Sequence, residues 1–400
     1  MAHPYTILSH CLITGENFIM PVIAAFAHAE DYSQEELKNA LKKVFAPQLE
    51  AYGSLEGKSV LIKPNLLAWK FDGDPTCVNP AFIVETAGLF LEAGAKKVTV
   101  MENPAVRSAA AIIESMGIAE KLTEMGVNFA NFSDFTLRNL PENAVFKQAE
   151  TASEHLDFDC VVNLAKVKTH GMMTLTLCIK NLFGFISGSE RLAWHLKVRR
   201  DFGLFADFLL DLYLDIKPQF NFLDGIIAME GNGPGSGTPV KCSFVAGSSN
   251  ALALDAAVAP LLGVNDLLTV TRGKERGLLP EFICTGDIPE LPPLRLPDPP
   301  APLSQWGLPL PAGIREIMRD RLLAKPAVKK DKCIGCGLCV RSCPPKSLKL
   351  KDGKPCFDLP NCIRCCCCQE LCPEGAIEFR SNLLLRGVEK LRDMLSAIAH

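Results

Sequence analysis

No run of 18 apolar residues occurs in this 400-residue chain, so nothing in it reads as a membrane-spanning helix. Neither lysine nor arginine precedes Lys38. The basic start of a secretory signal is missing, and the expected location is the cytoplasm, in a reducing, low-oxygen (anaerobic) setting. An excess of either charge is also lacking: 42 Lys and Arg face 45 Asp and Glu, a net of −3. That balance indicates no nucleic-acid and no membrane partner. Three familiar signatures fail as well. Gly53, Gly57, Lys58 and Ser59 approach a phosphate-binding P-loop, but the run is one residue short and precedes its strand. Gly231, Gly233, Gly235 and Gly237 miss the dinucleotide spacing and lead to Pro239 and an apolar strand, not to a helix. Ser187, Ser189 and His195 lie in no nucleophile elbow; a loop with a helix N-cap explains them better.

Cysteine, by contrast, is abundant and patterned. Of 17 cysteines, 11 lie between Cys333 and Cys372. Eight of these form two copies of one spacing: Cys333, Cys336, Cys339, Cys343 before Pro344, and Cys362, Cys365, Cys368, Cys372 before Pro373. This is the two-cluster bacterial ferredoxin run. Three thiolates at this spacing wrap three corners of an iron–sulfur cube, and the fourth reaches across to the other cube. Cys333, Cys336, Cys339 and Cys372 are assigned to one [4Fe–4S] cluster, and Cys362, Cys365, Cys368 and Cys343 to the second. Zinc also takes CxxC pairs, but the doubled spacing argues against it. Cys366 and Cys367 exceed what two cubes require; they read as spare thiols, alternative ligands or a redox-active pair. Cys11, Cys77, Cys160, Cys178, Cys242 and Cys284 are scattered singly and read as small buried hydrophobes. From Pro326 to His400 there are 13 Lys and Arg against 8 Asp and Glu. Two oxidised cubes of about −2 each would largely offset that excess.

The length, with 48% hydrophobic and 22% charged residues, implies two or three domains and a sizeable core. Nine prolines between Pro289 and Pro311 exclude helix and central strand there. The expected division is an α/β domain over 1–288, a proline-rich linker over 289–312 and a small α+β ferredoxin-like domain over 313–400, with flanking helices near Ile314–Leu323 and Leu383–Ala397. Before the linker, apolar runs alternate with helical patterns. Strands are expected at Val22–Phe26, Val60–Lys63, Val98–Met101, Cys160–Leu164, Phe222–Met229 and Ser243–Ala246. Ser33 with Glu36 reads as a capping box opening a helix through Gln48. Asn79-Pro80 reads as N-cap and N1 of a helix ending at Gly94. Helices are also expected within Ser108–Met125, Thr174–Leu182, Asp201–Ile216 and Ala251–Leu262. The fold class is therefore a doubly wound, mostly parallel sheet plus a small second domain.

Ligands on such sheets bind beyond the carboxyl ends of the strands. Those ends carry Lys63 and Asn65, Glu102, then Lys166, Lys168 and His170, then Glu230 and the glycine loop. Lys63, Lys166 and Lys168 in one pocket would repel unless an anion or carboxylates sat between them. His170 beside two lysines would tend to stay neutral, which suits a general base. Lys180-Asn181, near a helix end, reads equally as a cap. The glycine loop offers amides for an anion nest and reads equally as a plain loop.

These strings resemble the family called domain of unknown function 362. The resemblance rests on Val60–Leu66 (VLIKPNL), Val161–Gly171 (VVNLAKVKTHG), Thr174–Gly184 (TLTLCIKNLFG), Asp224-Gly225, Met229–Gly237 (MEGNGPGSG) and Ala253–Ala256 (ALDA), spanning roughly residues 20 to 285. Before Ala253 the chain carries Ser248-Ser249-Asn250-Ala251 where the family often has acidic residues and proline. Many members carry an appended two-cluster ferredoxin domain. The resemblance implies architecture and iron–sulfur content; it supplies no reaction.

The expected function is an iron–sulfur redox protein, an oxidoreductase if it is an enzyme. Two [4Fe–4S] clusters would relay electrons to or from an anionic small molecule held by Lys63, Lys166, Lys168, Asn65 and the glycine loop. His170 would move the proton, with Glu102 or Glu230 as a second acid–base or metal-binding group. A redox partner protein is expected. The alternatives are a non-enzymatic electron carrier or cluster-handling protein, and a transferase with structural clusters.

Overall fold

The computed structural model describes residues 21–67, 69–105, 107–198, 201–297 and 325–380. The expected helices at Ile314–Leu323 and Leu383–Ala397, the greater part of the linker and Cys11 lie outside these residues.

In chain order the strands are β1 (Val22–His28), β2 (Ser59–Pro64), β3 (Lys97–Glu102), β4 (Asn128–Asn131), β5 (Phe135–Asn139), β6 (Gln148–Ala152), β7 (Cys160–His170), β8 (Thr174–Thr176), β9 (Phe220–Glu230), β10 (Thr238–Ser248) and β11 (Phe282–Gly286). The main sheet runs β11-β1-β10-β9-β7-β2-β3-β4, with β8 folded back on β7. Neighbours from β9 through β4 are parallel, and β10 is the antiparallel exception between β9 and β1. A mostly parallel, doubly wound sheet is thus observed.

Alternation along the strands explains the layers. In β2, Val60 and Ile62 enter one core while Leu61 enters the other. The first core is covered by α1 (Gln34–Tyr52), α2 (Pro80–Glu92), α3 (Ala109–Ser115) and α4 (Ala119–Glu124); the second by α5 (Cys178–Asn181), α6 (Gly188–Val198), α7 (Phe202–Ile216), α8 (Ala251–Leu261) and α9 (Leu268–Glu275). Asn79 caps α2 as expected, accepting from the Ala81 amide, with Pro80 at the first turn. Asp201 caps α7 and Asn250 caps α8.

Two local expectations are corrected. Ser33 precedes α1 without a side-chain capping bond, and the helix continues past Gln48 to Tyr52, ending at Gly53 with φ 97°. Thr174–Leu182 is not one helix. Thr174–Thr176 is a strand, the α-helix is confined to Cys178–Asn181, and Leu182 opens a 3-10 turn to Phe185. The reversal is made by His170, whose Nδ1 accepts from the Met172 and Met173 amides at 3.0 and 3.2 Å. It places Thr174 at φ 65°, which no helix tolerates.

The second region pairs Lys325–Val328 with Ile377–Arg380 and Leu348–Lys351 with Lys354–Phe357. Each cysteine run ends on a single-turn helix, Leu338–Arg341 and Cys367–Glu370. Residues 289–297 hold no regular element and lie against the large domain, where Arg295 donates its amide to Glu230 and accepts from the Gly231 amide.

Candidate functional site

Strands β2 and β7 are neighbours in the sheet, and the chain leaves them in opposite directions across it. Beyond their carboxyl ends lies a cavity of about 240 Å³. This is the switch point at which ligands bind on parallel sheets. Lys63, Asn65, Glu102, Lys168 and His170 line it, so five of the strand-end residues named from sequence converge.

All five are held by partners. Lys63 pairs with Glu102 and donates to Pro64 O at 3.1 Å and Asn181 Oδ1 at 3.2 Å. Lys168 donates to Asn65 Oδ1 at 2.8 Å and Thr76 O at 2.7 Å. Burial lowers both ammonium groups, Lys168 to about 8. His170 accepts two amides at Nδ1, so the neutral ring carries its proton on Nε2. Burial pushes its pKa down as well. That Nε2 faces Glu370 Oε1 at 2.8 Å.

Three expected participants are elsewhere. Lys166 stands opposite Asp224 in the β7–β9 register and is bound to its Oδ2 at 2.7 Å and to Tyr32 at 3.0 Å. A register shift between Lys166 and Lys168 separates two residues that plain alternation would place on one face. Glu230 turns to Arg295 and lines no part of the cavity. The glycine loop is a packing surface, and none of its four glycines lines the cavity. The Gly231 amide donates to Arg295 O and the Gly233 amide to Gly231 O. A Cβ on Gly233 would lie 2.1 Å from Thr169 O, and one on Gly235 would lie 3.1 Å from Glu370 O. Glycine is there because backbone meets backbone.

Residues that the sequence gives a bland reading (Lys180, Asn181, His195), and Arg191, which no motif marks, complete the walls. Lys180 and Asn181 come from α5, whose first amides, Cys178 and Ile179, are bound by buried Asp255 at 2.8 and 3.0 Å. Arg191 and His195 come from one face of α6, and Arg191 ties Asn103 O, Gly184 O and Ile186 O together. The floor is formed by Ser342, Cys367, Glu370 and Leu371 of the cysteine-rich region. Burial would raise the Glu370 carboxyl, but His170 and then Lys180 outweigh it and hold it at about 2. Four cations (Lys63, Lys168, Lys180, Arg191) therefore face two carboxylates (Glu102, Glu370) around one cavity.

The cysteines divide as their spacing implies. Cys333, Cys336, Cys339 and Cys372 line one hollow; Cys343, Cys362, Cys365 and Cys368 line another, together with Cys366. In both sets the crossing cysteine accepts an amide four residues on: Ser347 N to Cys343 Sγ and Ala376 N to Cys372 Sγ, each 3.2 Å. Such bonds favour thiolate, the form an iron–sulfur cluster takes. Four sulfurs around a hollow fit a cube. Among the described residues no three His, Cys, Asp or Glu converge to hold a single metal ion. Cys366 is buried against Gly171, and Cys367 lines the cavity.

The model for the family "Domain of unknown function (DUF362)" matches residues 60–260, and that for a "4Fe-4S binding domain" matches residues 325–348. The thylakoid-associated protein sll1697 of Synechocystis sp. is 30% identical over 252 residues, 62% of this chain and 77% of that protein. A solved structure of the lactate racemase apoprotein from Thermoanaerobacterium thermosaccharolyticum aligns with a TM-score of 0.37 and 16% identity, and the match spans 59% of each chain. No described helix is long and apolar enough to cross a membrane.

Proposed function

The chain belongs to the family described as domain of unknown function (DUF362) and carries a 4Fe–4S binding domain; from that premise we propose an iron–sulfur redox protein in which two [4Fe–4S] clusters exchange electrons with an anionic small molecule in the cavity. One observation carries this reading. The floor of the cation-lined cavity is Ser342 with Cys367, Glu370 and Leu371, residues that stand next to or between Cys343, Cys368 and Cys372 in the chain. A ligand in the cavity would lie against the inner cysteine set. When bound, [4Fe–4S] clusters supply one-electron transfer. The protein's own residues supply the remainder: Lys168 and the other cations give the cavity the positive field that an anion needs, and the His170 Nε2 proton, facing Glu370, is available to a reacting group. Burial under the second region excludes water from that proton.

The outer cysteine set supports the expected redox partner. Cys336 is exposed, Ile334 and Leu350 beside it are 66% and 46% exposed, and exposed Lys332, Lys349 and Lys351 flank them in the chain. An apolar spot among lysines suits an acidic electron-carrier protein. A reducing compartment, the cytoplasm, suits the free cysteines of both sets.

Anaerobic purification is expected to give a brown protein with about eight iron per chain. Metabolite profiling of that protein should identify a co-purified anion. Lys168→Ala and His170→Ala are expected to abolish its retention or turnover while leaving the iron–sulfur spectrum intact. Stoichiometric zinc in place of iron would end the proposal. Full turnover in Cys336→Ala would instead indicate structural clusters beside a transferase.

A further inference from the structure

Three of the four cavity cations are already engaged by protein acceptors. Lys63 has Glu102, Pro64 O and Asn181; Lys168 has Asn65 and Thr76 O; Arg191 has three backbone carbonyls. Lys180 is different. Among the described residues its ammonium has no hydrogen-bond acceptor and no carboxylate at ion-pair distance. It rests over the Phe183 ring at 4.8 Å and the Phe205 ring at 5.8 Å. His195 shares that shelf, stacked on Phe205 at 5.1 Å and edge-on to Phe183 at 5.6 Å. His195 is 4% exposed, and its Nδ1 has no partner. An ammonium against aromatic rings and an unsatisfied imidazole nitrogen in one wall are both costly unless something binds them. Ring faces attract a cation but leave its N–H groups unfilled.

The charge around the cavity says what binds. Among the side chains that line the cavity, four cations face two carboxylates, an excess of two positive charges. Resting on the reading that the cavity holds an anion, we propose that Lys180 and His195 are the residues that contact its charged group, and that the ligand is a small dianion, a phosphate or a dicarboxylate. Lys180 donates to it, and the neutral His195 ring adds a directed hydrogen bond. Lys63, Lys168 and Arg191 keep their protein partners and contribute field and shape.

Isothermal titration of the anaerobic iron-loaded protein at pH 7 tests this, with inorganic phosphate, malonate and acetate as probes. Wild type is expected to bind phosphate or malonate, whichever class it serves more tightly, and to bind acetate at least tenfold more weakly. Lys180→Met and His195→Phe should each weaken the preferred probe tenfold or more, with iron content and absorption spectrum unchanged. Lys180→Arg, which keeps the charge, should restore affinity to within a few-fold. If Lys180→Met loses its iron, Lys180→Gln and His195→Phe carry the same comparison. Wild type binding none of the probes would overturn the anion reading of the whole cavity. Wild-type affinity in Lys180→Met together with its loss in Lys168→Met would overturn the Lys180 assignment alone. Acetate binding as tightly as the others would overturn the dianion.

Discussion

The two cysteine runs share one spacing and live in opposite surroundings. The outer run has an exposed Cys336, and three of its non-ligand positions are Gly335, Gly337 and Leu338. In the inner run Cys362, Cys365 and Cys368 are buried, and the matching positions are Arg364, Cys366 and Cys367. Backbone geometry is nearly identical: Gly335 and Gly337 have φ 72° and 70°, Arg364 and Cys366 have φ 59° and 63°. Left-handed positions filled by glycine outside are therefore filled by side chains inside, at a cost of about 1 kcal/mol or more each. Ligand spacing specifies the clusters, while the residues between the ligands specify what each cluster faces. Outside they leave an apolar spot among lysines. Inside they place Cys366 against Gly171 and Cys367 in the cavity wall.

The largest effect expected from breaking this comparison is loss of one cluster at a time. Cys339→Ser and Cys368→Ser should each reduce iron from about eight toward about four per chain. Only Cys368→Ser should also lower affinity for the cavity anion, because its run carries the cavity floor. Iron analysis and titration on the same samples check both. Equal loss of affinity in the two variants would contradict the inner–outer distinction.

Next comes the surface that receives the inner run. Gly171 donates to Gly233 O at 3.2 Å, and Gln369 donates to Asn232 O at 3.2 Å. Gly233→Ala would drive a Cβ into Thr169 O and should destabilise by about 3 kcal/mol or more. Thermal unfolding followed by far-UV circular dichroism and by cluster absorbance should show the inner region releasing first.

Much of this was readable from the sequence, for physical reasons. Short β-branched-rich runs such as Val60–Ile62 and Val98–Val100 read as buried strands, and eight cysteines at fixed spacing can surround only a few kinds of metal centre. Long-range pairing hid the remainder. Lys166 and Lys168 share a face by alternation, yet a register shift and the cross-strand Asp224 draw one away. Lys180 reads from sequence as a helix-end lysine; α5 is a single turn held at its start by Asp255, 77 residues from Cys178, and that long-range bond is not visible locally. Glu370 sits inside a metal-binding run, where attention goes to the cysteines. No catalytic motif surrounds His195 in the sequence; the aromatic shelf on which it lies is assembled from α7 and the turn after α5.

Proton linkage separates the cavity from the outer surface. Burial holds Lys168 at about 8 against an ordinary 10.5, with Glu370, Cys77 and Asp74 favouring its charge and Lys180 opposing it. Between pH 8 and 10.5 the unfolded chain binds more protons at this group, so its contribution to stability rises with pH. Anion affinity should move the opposite way. It falls above pH 8, approaching about tenfold per pH unit where charged Lys168 is required. Titration from pH 7 to 9.5, with Lys168→Arg as the control that flattens the profile, checks the sign.

The smallest expected effect addresses the inner run's extra thiols. Cys366→Gly installs the residue that the outer run carries at the matching position. It removes a left-handed penalty of about 1 kcal/mol and also removes a sulfur packed against Gly171. These changes oppose each other, so stability should shift by less than about 1 kcal/mol and iron should stay at about eight per chain. Denaturant unfolding with iron analysis measures both. A drop in iron would make Cys366 a ligand, and the inner cluster would then differ from the outer in coordination as well as in what it faces.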